Sequence, residues 1–582
     1  MSKLQFRVLY REFLFRIVDL ELLSPQGDMV KLLGQFAALL IFISLGLALV
    51  ILIGAGNPRP SAANLILAWI EEHFLIATTM LVVGLFAVLS WDSTFPDRRD
   101  VVVLAPLPVR ARTLFLAKVA AVATALGVTL VALNVFTGLA APFAFACAPR
   151  LGDSLAHPIV PSDCGIPAVT RSFAAYWITI FAAGVFMFSC VLSIQGLAQL
   201  LPRQKFLRVS SFLQITFFVV LLTVYFLQPP FAALNALFQN RDLLPWLPSY
   251  WFFALFQQLT GSIRPEITVL AFRAWLALGI SVSGAAAAYL ICYFRTLRKI
   301  IEQPDILPSH RGLHGLPRFG GSLETAVGQF SLRTLLRSRQ HRVILSFYFG
   351  FALGLAMFFS EAPVLKQQRP ADAWYRLNAP LLVGSILMVC AAVVGTRVVF
   401  SMPLELRANW MFRVLPLPGL PGCLAAIRRT LYALAVAPIW AVLAALFFWL
   451  WPWRPAAEHL VLLGLLGVIV AEISLHSFRK IPFTCSYLPG KSKFNMAALA
   501  FAGLMFLIVK GADLERSAFD SPLLYATIAG ILALAAVLAR WRTSAVAKFE
   551  ESAVQFEDLE TPVIQSLGLH RDGGLPIEPA HI

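Results

Sequence analysis

Gly490-Lys491-Ser492 has the residue types of a phosphate-binding loop, in which backbone N–H groups and a lysine hold a nucleotide. That loop also needs a glycine five residues before Gly490, and Cys485 stands there instead. A preceding strand is required as well, whereas this segment leads into an apolar stretch. The sequence therefore predicts no nucleotide site on this chain.

Four polar or charged residues lie within apolar stretches, where such residues are candidates for function. Glu472 and His476 are four residues apart and share one face of a helix, where they could relay a proton or hold a metal ion. Because basic residues follow directly, we interpret them as part of a local ion pair at the membrane interface. For Asn134 and Arg397 we expect hydrogen bonds between helices or snorkelling of the side chain to the interface.

The remaining reactive side chains give few patterns. His310 and His314 lie in a Pro/Gly-rich linker, which disfavours the helical geometry of a metal pair. The sequence has no HExxH or GxSxG motif and no CxxC pair. Cys147 and Cys164 share a predicted outer loop, where a disulfide can persist, and two free thiols are the alternative.

The composition of the chain indicates a membrane protein. Of its 582 residues 59% are hydrophobic and only 13% are charged, and the mean hydropathy is +0.77. A soluble domain of that composition could not cover its surface with polar groups. The net charge of +16 would suggest nucleic acid in a soluble protein, but membrane proteins collect Lys and Arg on the cytoplasmic side. We expect a lipid environment and no nucleic-acid partner.

The apolar stretches predict an all-α polytopic membrane protein with about twelve spans of roughly 20 residues each. We place them at Leu33–Ile53, Ile66–Trp91, Leu114–Ala140, Phe173–Leu200, Phe206–Leu227, Ile267–Phe294, Val343–Phe359, Leu377–Phe400, Ile427–Trp451, Leu460–Phe478, Phe494–Val509 and Pro522–Trp541. With the N-terminus inside, most of the 47 lysines and arginines fall in cytoplasmic segments. Both termini and the central linker are therefore predicted to be cytoplasmic.

The two halves of the chain repeat several features. Leu4–Leu23 has an apolar stripe at helical spacing, which predicts an amphipathic helix on the inner membrane surface. Arginines at its polar positions recur in the second half at an offset of 326, namely Arg7, Arg11 and Arg16 with Arg333, Arg337 and Arg342. At an offset of 310, Pro106-Leu107-Pro108 matches Pro416-Leu417-Pro418 and Lys118 matches Arg428.

Six spans in each half imply a parallel repeat about an axis along the membrane normal. The predicted divisions are a first six-span half with its amphipathic helix (1–294), a cytoplasmic linker with a second amphipathic helix (295–342), a second six-span half (343–541) and a cytoplasmic tail (542–582). Tandem halves of this kind usually surround a shared pathway.

With its doubled amphipathic helices and proline-leucine loops, the chain resembles the permease subunit of a type-2 ABC exporter. The resemblance implies that Phe95–Lys118 and Pro403–Arg428 carry short cytoplasmic coupling helices, which dock into grooves on two separate ATPase subunits. The candidate coupling residues are Val102, Leu104, Leu107 and Lys118 in the first loop and Met411, Val414, Leu417 and Arg428 in the second. Ordinary basic loops that anchor the membrane surface are the alternative.

The resemblance also implies that ATP is bound and hydrolysed on the partner chains, so that this chain is no enzyme and holds no cofactor. It implies the bacterial inner membrane as the location, and a small-molecule or lipid-like substrate of unknown identity. The family carries a re-entrant helical pair between its fifth and sixth spans, and Gln228–Glu266 could form one. An interfacial belt of aromatic residues is an equal interpretation of that segment.

Two other classes of protein remain open. A secondary transporter of the major facilitator type also has two six-span halves, and Asp97-Arg98-Arg99 resembles a motif of that family, although the flanking glycines are missing. A membrane-embedded enzyme or scaffold is the third alternative.

Overall fold

In the computed structural model, the described residues are 3–18, 29–54, 62–96, 109–147, 150–151, 159–160, 165–228, 243–261, 264–302, 320–361, 379–404, 412, 414, 419–476, 478–484 and 494–549. The helices of the first half are α1 (Lys3–Val18), α2 (Met29–Gly54), α3 (Ala62–Leu89), α4 (Trp91–Thr94), α5 (Ala111–Asn134), α6 (Thr137–Cys147), α7 (Ile166–Gln199), α8 (Arg203–Phe226), a 3₁₀ turn (Leu244–Trp246), α9 (Pro248–Thr260) and α10 (Pro265–Glu302). Two short antiparallel strands, Arg150–Leu151 and Ile159–Val160, pair Arg150 with Val160 and Leu151 with Ile159.

The helices of the second half are α11 (Ser322–Arg337), α12 (Arg339–Glu361), α13 (Ala379–Phe400), α14 (Leu420–Leu431), α15 (Ala437–Leu450), α16 (Trp453–Leu475), α17 (Phe494–Ala518) and α18 (Pro522–Phe549). A π-helical turn, Tyr432–Val436, joins α14 to α15.

Among the described residues, nine helices are long and apolar enough to cross a membrane. They coincide with nine of the predicted spans, and the chain is therefore a multi-pass α-helical membrane protein. The first, seventh and eleventh predicted spans lie on the helices α2, α12 and α17, which are not among the nine. The total of twelve spans remains a prediction.

The helix boundaries follow local chemistry. Proline stands in the first turn of α7 and α9, where its fixed φ suits the helix and its missing N–H is not needed. Helix α9 ends at Gly261, whose φ of 114° is left-handed and suits a residue without a Cβ atom. The prolines therefore mark where α7 and α9 begin, and Gly261 marks where α9 ends.

The apolar stripe predicted for the first amphipathic helix is confirmed in α1. Leu9, Phe13 and Ile17 are buried, and the helix packs lengthwise on α5. Tyr10 donates a hydrogen bond to Thr124 Oγ1 on α5 at 3.1 Å. The stripe therefore attaches α1 to the third-span helix.

The second amphipathic helix differs from the expected match. Helix α11 stops at Arg337 because Ser338 is extended, so Arg342 lies on the next helix, α12. His341 stabilises this break, with Nδ1 2.5 Å from Ser338 Oγ and Nε2 3.1 Å from the Met402 carbonyl. Burial lowers the pKa of the His341 imidazole, which keeps the ring neutral at neutral pH.

Helices that the predicted repeat would pair make similar contacts. Helix α1 packs on α5, and α11 packs on α14. Helix α3 contacts α7 and α8, as α13 contacts α16 and α17, and α7 packs on α10 as α16 packs on α18. The first helices differ, because α2 packs on α5 and α6 whereas α12 packs on α13.

The halves meet where α8 packs on α12. The rings of Phe218 and Phe347 lie 5.1 Å apart between their centroids. Gly350 allows this close approach, since a Cβ atom there would lie 3.3 Å from the Phe218 ring. In the described part of the interface, the glycine therefore lets Phe218 and Leu222 on α8 approach α12 closely.

Helix α9 lies inside the segment predicted as either a re-entrant pair or an aromatic belt. It packs on α3, α7 and α10, and Tyr250, Phe252 and Phe253 are all buried. A belt would leave these rings facing lipid headgroups. The burial of these three rings argues against a belt at this helix, whereas Trp246 just before it is 82% exposed, and the re-entrant pair remains a prediction.

Candidate functional site

The candidate coupling residues fall into two groups. Val102, Leu104, Leu107, Met411 and Leu417 lie outside the described residues. Of the other three, Val414 is 75% exposed, whereas Lys118 and Arg428 are buried.

Lys118 lies on the contact between α1 and α5. Its side chain is 2% exposed, and its Nζ sits 4.7 Å from the centre of the Phe13 ring. A cation over an aromatic face is stabilised by the ring quadrupole, most strongly when it is removed from water. Lys118 thus attaches the start of α5 to α1 with its side chain buried, and its coupling role remains a prediction.

Arg428, which the predicted repeat matches to Lys118, belongs with Tyr432, Glu472 and Ser544 to a group here termed the Arg428 cluster. Arg428 and Glu472 are buried, and the other two are half-buried. Arg428 Nε lies 2.6 Å from Glu472 Oε1 in an ion pair whose N–H is not aligned for a hydrogen bond. Arg428 Nη2 donates to Ser544 Oγ at 3.1 Å, and Tyr432 O–H donates to Glu472 Oε1 at 2.6 Å. The cluster joins α14 to α16 and α18.

The π-helical turn places Tyr432 in this cluster. Such turns insert one residue into a helix, reorient side chains and occur frequently at functional sites. Glu472 is fully buried, and its backbone carbonyl accepts a hydrogen bond from Thr543 Oγ1 at 3.4 Å. Glu472 is thus held, through its carboxylate and its backbone carbonyl, by groups from several helices that follow the second predicted coupling loop.

The predictions for the polar residues of the apolar stretches have mixed outcomes. Glu472 is in an ion pair as interpreted, but its partner Arg428 lies on another helix, and His476 is exposed. The helix-to-helix hydrogen bonds expected for the other two are confirmed. Asn134 Oδ1 accepts from Tyr176 at 3.0 Å, and Arg397 Nε donates to the Ser474 carbonyl at 2.9 Å.

A second buried group, Ser385, His459 and Glu515, is absent from the sequence predictions. His459 Nε2 lies 2.9 Å from Ser385 Oγ, and Nδ1 lies 2.6 Å from Glu515 Oε1. This is the connectivity of a hydrolase triad. However, Ser385 is buried within α13 and donates to the Leu382 carbonyl at 2.7 Å, so a substrate cannot reach it. In the sequence, His459 and Glu515 could have indicated this group, because they are ionisable residues in or beside apolar stretches.

Cys147 takes part in a disulfide, whereas Cys164, the predicted partner, lies outside the described residues. We expect the thiol count of the denatured protein to rise by two on reduction, and C164S to abolish that rise. In the entropic account, closing this loop stabilises it by roughly 3 kcal/mol. C190S is the matched control, because Cys190 is a free thiol whose loss leaves the rise intact. Equal counts before and after reduction would contradict the pairing.

In the described part of the chain, no group of three or more His, Cys, Asp or Glu side chains is placed to hold a metal ion. Comparisons with known protein families, with curated proteins and with solved structures find no match to this chain.

Proposed function

We propose that the chain is the permease subunit of an ATP-driven ABC exporter, coupled to two separate ATPase subunits. One observation carries the proposal: each half has an amphipathic helix that packs on its own third-span helix, α1 on α5 and α11 on α14. Each predicted coupling loop leads directly into one of those helices. The equivalent contacts of the remaining helices support a duplicated six-span unit.

The two buried basic residues link the helices that follow the predicted coupling loops to other helices. Lys118 joins α5 to α1, and Arg428 joins α14 to α16 and α18. A displacement of either loop is therefore transmitted to other helices of the same half. In this proposal, closure of the ATPase dimer moves both loops toward each other. The substrate pathway then opens and closes along the contact between α8 and α12.

The defining test is biochemical. The permease, purified with a mild detergent from its native membrane, should retain a chain that hydrolyses ATP, at two copies per permease. Reconstitution of the two purified components should raise the rate of ATP hydrolysis above that of the ATPase alone. A permease that retains no ATPase would contradict the proposal.

A secondary transporter is the second candidate, and the ionisable residues buried in the helices favour it. His459 and Glu515 are paired inside the second half, and Glu72 is buried in the first. Such residues commonly relay protons in transporters. Substrate movement in proteoliposomes that follows a proton gradient and ignores ATP would select this candidate.

The orientation of the chain gives a further prediction. We expect both termini and the linker 295–342 to face the cytoplasm, because that arrangement places most basic residues inside. In a cysteine-free background, a membrane-impermeant thiol reagent should label S61C in intact cells, and S309C only after lysis. Labelling of S309C in intact cells would reject the predicted orientation.

A further inference from the structure

His459 is buried where α16 and α17 pack on α13, and each of its ring nitrogens faces one oxygen atom. Nε2 lies 2.9 Å from Ser385 Oγ on α13, and Nδ1 lies 2.6 Å from Glu515 Oε1 on α17. The imidazole is fully buried, and the Glu515 side chain is only 7% exposed. Each of these short contacts requires a hydrogen atom between the two heavy atoms, because two facing lone pairs repel each other.

The hydrogen atoms available for the two contacts can be counted. Ser385 has one hydroxyl hydrogen, which it donates to the Leu382 carbonyl at 2.7 Å. The hydrogen in the contact with Ser385 must then belong to His459 Nε2. Because a neutral imidazole carries a single N–H, the contact between Nδ1 and Glu515 needs a second hydrogen, on Nδ1 or on the carboxyl group. The pair therefore holds one proton more than a neutral histidine beside an ionised glutamate.

One rearrangement of the hydrogens needs no additional proton. If the Ser385 hydroxyl turned from Leu382 to Nε2, a neutral His459 would donate from Nδ1 to an ionised Glu515. That arrangement leaves a net negative charge in a buried site, which is costly without a compensating cation. Among the described residues, Glu515 pairs with His459 and with no lysine or arginine. The protonated pair is electrically neutral and keeps every hydrogen bond, which favours it.

The charged and titratable groups at this end of the surrounding helices do not neutralise Glu515. They are Arg454 and Glu458 on α16, Lys510, Asp513 and Arg516 on α17, Asp520 after it, and Tyr525 on α18. Arg454 Nε lies 2.9 Å from Glu458 Oε1, and Lys510 Nζ lies 4.0 Å from Asp513 Oδ2, so these charges pair with one another. Arg516 and Asp520 are exposed, and the Tyr525 hydroxyl donates to the backbone carbonyl of Glu458 at 3.2 Å.

The end of α15 contributes aromatic rings and no charge. The ring centroids of Phe447 and Trp451 lie 4.7 and 6.0 Å from that of His459. Aromatic rings at such distances can stabilise a cation that is removed from water. The surroundings of the imidazole are thus compatible with a protonated ring.

We propose that His459 and Glu515 form a proton-binding site, which takes up one proton and thereby joins α16 to α17. The site is close to the start of α16 at Trp453 and to the end of α17 at Ala518. In the predicted orientation both of these helix ends face the outer side, so the proton comes from there. Its release leaves a buried negative charge and weakens the contact between the two helices. The site is independent of whether ATP drives the protein.

The first test locates the hydrogen atoms on His459. Nitrogen-15 NMR of the purified full-length protein with ring-labelled histidine is recorded at pH 8, where an ordinary histidine is neutral, and H459N assigns the signal. We expect a proton on Nε2, with a second on Nδ1 or on the carboxyl group. A ring protonated only at Nε2 supports the proposal if an infrared band of a protonated carboxyl group titrates together with the ring signals, and overturns it if no such band exists. A ring that lacks a proton on Nε2 also overturns it, because the Ser385 hydroxyl has then turned.

The second test measures unfolding in a denaturing detergent between pH 7 and 9. The unfolded chain has lost the proton in this range and the native protein keeps it, so the native state binds one more proton. The unfolding constant of the wild type should therefore rise up to tenfold per pH unit relative to that of E515Q. In E515Q the amide donates to Nδ1 of a neutral imidazole, which keeps the contact without the proton. E458Q, altered at the neighbouring carboxylate, should follow the wild type, and an equal pH dependence of wild type and E515Q would overturn the proposal.

Discussion

Replacing both Leu104 and Val414 by aspartate is expected to release the ATPase from the permease and to abolish the stimulation of ATP hydrolysis. A docking helix buries a few apolar anchors in a groove, and losing one costs about 2 kcal/mol or more of binding. That loss corresponds to roughly thirtyfold in affinity for each loop. The 75% exposure of Val414 agrees with a side chain that is available to a partner, and Leu104 lies outside the described residues.

The measurement is the amount of ATPase retained on affinity-purified permease, together with its hydrolysis rate. L404D is the matched control for V414D, because Leu404 is an exposed apolar residue of the same loop that is not a predicted anchor. Basic anchoring loops act through charge, at about 1 kcal/mol for each residue, so they predict equal and small effects of both changes. A double variant that keeps a bound, stimulated ATPase would reject the ABC proposal in favour of the secondary transporter.

Features that depend on residues close together in the sequence were predictable. Nine of the twelve predicted spans coincide with long apolar helices, because an apolar stretch of about 20 residues has few other stable arrangements. The stripe of α1 was found because Leu9, Phe13 and Ile17 recur at the period of a helix, whichever surface they meet. The sequence identified the lipid surface as their partner, whereas α5 is the surface they contact.

Features that depend on helix packing were not predictable. Glu472 and His476 share a helix face, so local spacing favoured nearby partners, but the ion pair forms with Arg428 because α14 packs on α16. His459 contacts Ser385 and Glu515, which lie 74 and 56 residues away in the chain. Contacts between residues so far apart in the chain leave no local sequence pattern. The sequence indicated these residues only through their ionisable side chains.

The ion pair between Arg428 and Glu472 is expected to be highly sensitive to the loss of one partner. R428A leaves the fully buried Glu472 without its ion-pair partner, and breaking a buried pair in this way costs about 3–5 kcal/mol. The free energy of unfolding in a denaturing detergent measures the loss. R429A is the control, because Arg429 is largely exposed and its pair with Glu324 is screened by solvent, so the expected change is about 0–1 kcal/mol.

The double variant R428M/E472L separates the structural role of the pair from coupling. Replacing both charges by apolar residues removes the unpaired carboxylate, so we expect most of the stability lost in R428A to return. If Arg428 only holds α14 to α16, this stable double variant still stimulates the ATPase. If the charged contact transmits the movement of the loop, stimulation is lost although the protein remains folded and the ATPase remains bound. A double variant as unstable as R428A would contradict the pairing itself, because the cost would then come from lost packing and not from an unpaired charge.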